Sequence, residues 1–114
     1  MVKVKITESL FKQIKKTFSK SEANSIMDLI ETVEENPKKG KELANVGKVV
    51  IKELKYKKFR FYFITDGYKI KFLEISELQN LLIKFVAMSD KNKQQKTIDE
   101  IKYVLKNLGS EGFE

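Results

Sequence analysis

The sequence predicts an α+β fold: an N-terminal strand and a helix hairpin packed on a mainly antiparallel, twisted β-sheet, with a C-terminal helix. Three observations lead there. Apolar residues recur at helical spacing over residues 8–36 and again over 98–108, whereas residues 49–88 carry the two-residue alternation of strands. The chain has 114 residues and no cysteine, a length that buries roughly two-thirds of its unfolded surface without covalent staples. The expectation is one domain, residues 1–114.

Val2–Ile6 alternates as a short strand, and Thr7 is placed to cap a helix with Glu8 in its first turn. Leu10, Phe11, Ile14 and Phe18 supply the apolar stripe of that helix over residues 8–18. Ser19-Lys20-Ser21-Glu22 has capping-box spacing and starts a second helix. Ala23, Ile26, Met27, Ile30 and Val33 form its buried side, and Asn36-Pro37 stops it near residue 36. Lys38 to Gly47 reads as a loop bounded by two glycines. Val49–Tyr56 and Lys58–Thr65 read as strands, and Asp66-Gly67 as a two-residue hairpin turn leading into a strand over Tyr68–Ile75. Ser76–Asn80 turns the chain into a last strand, Leu81–Met88, with Leu81, Ile83, Phe85 and Ala87 on one face. Ile98, Ile101, Leu105 and Leu108 mark a helix that ends at Gly109.

Composition excludes several chemistries. Without Cys or His there are no disulfides, no thiolate nucleophile and no ordinary zinc set, and the commonest general base near neutral pH is missing. No metal or cofactor is expected. No apolar run approaches the roughly 20 residues of a membrane span, and the N-terminus lacks the apolar block of a secretory signal, so a soluble cytoplasmic protein is expected. The net charge is +7, and residues 48–108 alone carry 14 Lys/Arg against 7 acids. The cationic excess therefore lies on the expected sheet and the helix after it, where it attracts polyanions, nucleic acid first among them.

Arg60 is the only arginine beside 22 lysines, and it stands inside Lys58-Phe59-Arg60-Phe61-Tyr62-Phe63. A guanidinium forks onto two phosphate or carboxylate oxygens, where an ammonium is a point charge. Strand alternation puts Phe59, Phe61 and Phe63 on a core face and Lys58, Arg60 and Tyr62 on a face turned to solvent or a partner. The plainer expectation is that Arg60 pairs with a nearby glutamate.

Three short segments resemble the RelE/ParE superfamily of toxins from type II toxin–antitoxin systems, closest to its HigB-like branch. Lys52-Glu53-Leu54-Lys55-Tyr56-Lys57-Lys58-Phe59-Arg60-Phe61-Tyr62-Phe63 is similar to the family's Leu-Lys turn followed by Arg-x-Tyr/Phe on a central strand. Asp66-Gly67-Tyr68-Lys69-Ile70-Lys71-Phe72-Leu73 is similar to its next hairpin and strand. Phe85 with Lys91, Lys93, Lys96 and Thr97 resembles the stretch between its last strand and final helix.

The resemblance implies a RelE-like fold and a ribosome-dependent mRNA endonuclease that inhibits translation, with the ribosome, mRNA and a cognate antitoxin as partners and no membrane. Cleavage through the RNA 2′-hydroxyl needs an in-line backbone, proton transfer groups and a stabiliser for phosphorane oxygens. Arg60 is the best stabiliser available; Lys52 and Lys91 are candidates to hold the scissile phosphate or move protons. Lys55, Tyr56, Lys57, Lys58, Tyr62, Lys84, Lys93 and Lys96 are the expected RNA-binding residues. Tyr56 or Tyr62 could stack on bases, or act as an acid–base group if cations lowered its pKa. Each has a duller rival: Tyr56 packs on the turn, Tyr62 caps the sheet, and a lysine among 22 merely solubilises. The chain departs from the family in having no His and no Tyr in Ser89–Gln95; Tyr103 lies well inside the last helix. That departure keeps two alternatives open, a ParE-like inhibitor of DNA gyrase and a non-enzymatic basic binding member of the fold.

Overall fold

Thr7 starts the first helix as its spacing predicts. In a computed structural model describing residues 2–113, its hydroxyl accepts the Leu10 N–H at 3.3 Å, and α1 runs Glu8–Thr17 after strand β1, Lys3–Ile6. Ser19 does the same for α2, Lys20–Glu35, accepting from the Glu22 N–H at 3.2 Å. Four further strands follow: β2 (Lys41–Val46), β3 (Val49–Tyr56), β4 (Phe59–Asp66) and β5 (Leu82–Asp90). Between β4 and β5 lie a short helix α3, Gly67–Phe72, and a 3₁₀ turn, Ile75–Glu77. A second 3₁₀ turn, Lys91–Lys93, leads into α4, Gln94–Leu108, which stops where Gly109 adopts φ 69°.

The sheet order is β1-β5-β4-β3-β2, with β1 parallel to β5 and every other pair antiparallel. The fold is therefore the expected α+β arrangement, a helix hairpin on a mainly antiparallel sheet with a C-terminal helix. On one sheet face Leu54, Phe61, Phe63, Ile83 and Phe85 bury against Leu10, Ile14, Ile26, Ile30 and Val33 of the hairpin, with Phe59 packed at the margin. The aromatic alternation of β4 thus faces α1 and α2.

Four expectations are corrected. First, the opposite sheet face is not open: Ile51, Tyr62, Ile64 and Val86 form a second core under Ile98, Ile101 and Leu105 of α4, so one sheet is covered on both sides. Second, Lys38–Gly47 is not all loop, because β2 pairs along β3 as an edge strand; its polar outer positions hide the alternation. Third, the strand expected over Tyr68–Ile75 is replaced by α3, Gly67–Phe72, and the start of the Ile75–Glu77 3₁₀ turn. The Asp66 carboxylate accepts the Lys69 N–H at 3.0 Å, so Asp66-Gly67 caps a helix and forms no hairpin turn. Fourth, the register shifts in β5 opposite Tyr62 and Phe63. That irregularity turns Ala87 toward the α4 side, away from Ile83 and Phe85. Leu108 is also exposed and takes no part in the core.

Gly40 is a position that backbone geometry requires. It sits at φ +104°, and a Cβ there would stand 2.8 Å from Phe63 Cζ. The same left-handed region costs a side-chain-bearing residue about 1–2 kcal/mol, yet Lys57 adopts φ 54° in the β3–β4 turn. Its ammonium is fastened there to Glu22 Oε1 at 2.7 Å.

Candidate functional site

Register fixes what surrounds Arg60. Across β3 its partner is Lys55, across β5 it is Ser89, and one step along lies the Glu53–Tyr62 pair on the same face. Arg60 Nε approaches Glu53 Oε2 at 3.8 Å, and Nη1 donates to the carbonyls of Phe59 (3.0 Å) and Lys57 (3.4 Å). Both side chains are largely withdrawn from water, at 13% and 8% exposure. From α4, Gln94 Nε2 donates to the same Glu53 Oε2 at 2.7 Å. Glu53 is thus held from two sides, and the guanidinium is held edge-on against the strand.

Tyr62 is wholly buried beside this pair. Its hydroxyl lies 2.8 Å from Ser89 Oγ, and Ser89 in turn donates to the Asp90 carbonyl at 2.9 Å. With the serine proton committed to Asp90, the phenol is the donor to serine. Burial raises the phenol's pKa above the ordinary tyrosine value, the Glu53 and Asp90 charges adding to it, against the opposing pull of Ser89 and Arg60. Tyr62 therefore neither stacks on bases nor works as a base of lowered pKa; both expectations are overturned by α4, which covers it.

Lys52 is on the other face. It pairs with Phe63, its Nζ lies 5.8 Å from the Phe63 ring centre, and it donates to the Lys38 carbonyl at 3.0 Å. Burial lowers its pKa below the ordinary lysine value, opposed by the nearby Glu42 carboxylate. The expected set Arg60, Lys52 and Lys91 is thus divided by the sheet itself. Lys91 does stay with Arg60: its N–H bonds to the Lys58 carbonyl at 2.9 Å, fastening the end of β5 to the β3–β4 turn.

Around this end of the sheet the lysines gather. Lys55 is exposed opposite Arg60, Lys57 and Lys58 form the turn, Lys91 and Lys93 lie in the 3₁₀ turn, and Lys96 follows in the first turn of α4. Asp90 holds the 3₁₀ turn by accepting the Asn92 and Lys93 N–H groups at 2.8 and 3.1 Å. Beside it, Lys41, Lys91, Asn92, Gln95 and Lys102 line an open cleft of about 550 Å³. Two expected residues lie elsewhere. Lys84 is at the opposite end of β5, bonded to the Ser110 carbonyl at 3.2 Å, and Tyr56 turns to the hairpin side, edge-on to Phe18 at 6.2 Å.

Glu53, Ser89 and Gln94 escaped the sequence reading. Glu53 was within reach, since a turn at Lys57-Lys58 pairs it with Tyr62; nothing local marked Gln94. Among the described residues no three His, Cys, Asp or Glu side chains cluster as metal ligands, and no helix is long and apolar enough to cross a membrane. No family model, curated protein or solved structure matches this chain.

Proposed function

We propose that this protein is the toxin of a type II toxin–antitoxin pair, engaging mRNA on the ribosome through the Arg60 end of its sheet and blocking translation by endonucleolytic cleavage. One observation carries the reading. The only arginine is locked in place at the centre of a rim built from Lys55, Lys57, Lys58, Lys91, Lys93 and Lys96. A fixed guanidinium with lysines at the same end of the sheet, Lys57 among them already paired with Glu22, is an arrangement that attracts a phosphodiester. The similarity of the Lys52–Phe63 and Phe85–Thr97 segments to RelE/ParE toxins supports the more specific form, and a cognate antitoxin with acidic side chains is the partner that would cover the rim.

A second reading has its own observation. Glu53 already neutralises Arg60, Lys52 is on the far face and Tyr62 is buried, an arrangement that favours binding of a polyanion or of DNA gyrase without cleavage. Primer extension on an mRNA translated in a reconstituted system separates the two. Under the first reading wild type leaves new 5′ ends, and Arg60→Lys reduces their formation by about 10²–10³ because one ammonium cannot reproduce the fork. Lys93→Ala weakens association in a salt-dependent way and spares the chemical step. Absence of cleavage by wild type, with ribosomes present, rejects the nuclease in favour of the second reading.

A further inference from the structure

α3 presents a second grouping of rings and cations. Tyr68 and Phe72 stand one helical turn apart with ring centroids 5.0 Å from each other, yet they are 61% and 62% exposed, and Ile75 beside them is 55% exposed. An i, i+4 aromatic pair steadies a helix slightly, but that does not require both rings to face water. On its inner side α3 packs Ile70 into the core. Gly67, Ile70 and Lys71 form one wall of a cleft of about 320 Å³ shared with Lys38, Glu42 and Lys52. Lys38 and Lys71 against Glu42 leave this cleft cationic, with Lys52 buried in its wall. Asp66 and Glu77 are engaged with the backbone, Asp66 accepting from the Lys69 N–H and Glu77 from the Glu74 N–H at 2.9 Å, while Glu74 is exposed at the end of α3.

A strip of cations beside exposed aromatic rings suits an unpaired strand: phosphates over the ammonium groups, and bases on the ring faces left open by the Tyr68–Phe72 contact and by Lys71 Nζ, 5.6 Å from the Phe72 ring centre. A duplex cannot use the rings, because its bases are already stacked. An acidic protein segment would use the lysines but gain little from the exposed ring faces. We propose that α3 and the Lys38–Lys52–Lys71 cleft form a binding site for single-stranded nucleic acid, with two bases stacking on Tyr68 and Phe72. The rings lie beyond the Asp66 end of β4, about 20 Å along the strand from Arg60, and the cleft opens on the sheet face opposite Arg60, where Lys52 pairs with Phe63. It goes beyond the Arg60 reading and stands without it.

The test is fluorescence anisotropy with a labelled oligouridine of roughly 12 nucleotides, a length within common single-strand site sizes, and with an RNA duplex of equal length. Tyr68→Ala/Phe72→Ala should lose about 10-fold or more in affinity for the single strand, with an unchanged salt slope and no loss for the duplex. Tyr68→Leu/Phe72→Leu, which keeps the apolar bulk on α3, should lose affinity in the same way. Lys38→Gln/Lys71→Gln should flatten the salt slope by about 1.4, two phosphate contacts on a single strand. Lys91→Gln/Lys93→Gln tests the Arg60 rim in parallel. Wild-type affinity in both ring variants overturns the proposal, as does equal loss for single strand and duplex. Retained RNA affinity with loss of a co-purifying antitoxin also overturns it and makes the patch a protein dock. Loss confined to the Lys91/Lys93 variant removes this site and leaves the Arg60 reading standing, whereas loss confined to the ring and Lys38/Lys71 variants supports this site alone. Wild type binding neither probe removes this site and leaves the Arg60 reading to the ribosomal assay.

Discussion

Lys52 and Tyr62 are buried ionisable groups on opposite sheet faces, and they respond to alkali in opposite senses. An unfolded Lys52 keeps its proton to the ordinary lysine value, whereas the folded one releases it earlier because burial disfavours the charge. Between those two points the unfolded chain holds more protons, so this residue makes stability rise with pH. Urea denaturation of wild type and Lys52→Met from neutral pH toward pH 10.5, the ordinary lysine value, should show wild type gaining relative to the variant as pH rises. Parallel curves would refute a buried, strained ammonium. Tyr62 runs the other way. The folded phenol keeps its proton where the unfolded one gives it up, so its stabilisation is full below pH 10.0 and fades above it. At neutral pH, Tyr62→Phe should cost about 1 kcal/mol, the net worth of the hydroxyl's bond to Ser89. The same variant should leave RNA affinity unchanged, which distinguishes a core phenol from a base-stacking one.

Among the elements, α3 is the least secure. Six residues are too few to hold a helix by propensity, so the Asp66 cap and the inward contact of Ile70 carry it. Asp66→Ala should destabilise the helix by about 1 kcal/mol. Hydrogen exchange would report this as faster exchange at Lys69 and Leu73, whose N–H groups bond to the Asp66 carboxylate and the Lys69 carbonyl, with β3 and β4 amides unaffected. Uniform acceleration across the sheet would mean that α3 and the core unfold as one unit. The same element shows why sequence reading stopped where it did. Asp-Gly is both a hairpin signal and a capped helix start, and Tyr-Lys-Ile-Lys-Phe satisfies strand alternation as well as an i, i+4 pair. Only the pairing of β5 directly with β4 decides between them, and that is a long-range fact. β2 was hidden for a different reason: an edge strand has one paired side and polar exposed positions, so it carries no alternation to read.

At the scale of the molecule, the periodic segments were legible because each has a single dominant buried face. The Thr7 and Ser19 caps, the stripes of α1 and α2 apart from Phe11, which is 40% exposed, and the Phe59–Phe63 face all followed from spacing. The second core did not, since Tyr62 and Arg60 look like solvent-side residues until α4 is laid across them. The candidate site was legible in part for the same reason. Arg60 with Lys55, Lys57, Lys58, Lys91 and Lys93 follows from one turn and one strand end, whereas Lys52 is near Arg60 in sequence but its parity on β3 puts it opposite Phe63, on the other face.

The parallel pairing of β1 with β5 joins segments from opposite ends of the chain. β2, β3 and β4 can assemble as a local meander while synthesis continues, but Phe85 and Ile83, which complete the floor beneath α1 and α2, arrive later. Until then Leu54, Phe61 and Phe63 are the only part of that floor in place, and the strand that joins β1 to β4 is missing. A growing chain therefore carries the stripes of α1 and α2 incompletely covered until Leu82–Asp90 has been added. Its last strand acts as the latch that ends that exposure, because β5 is the one strand that pairs with both β1 and β4.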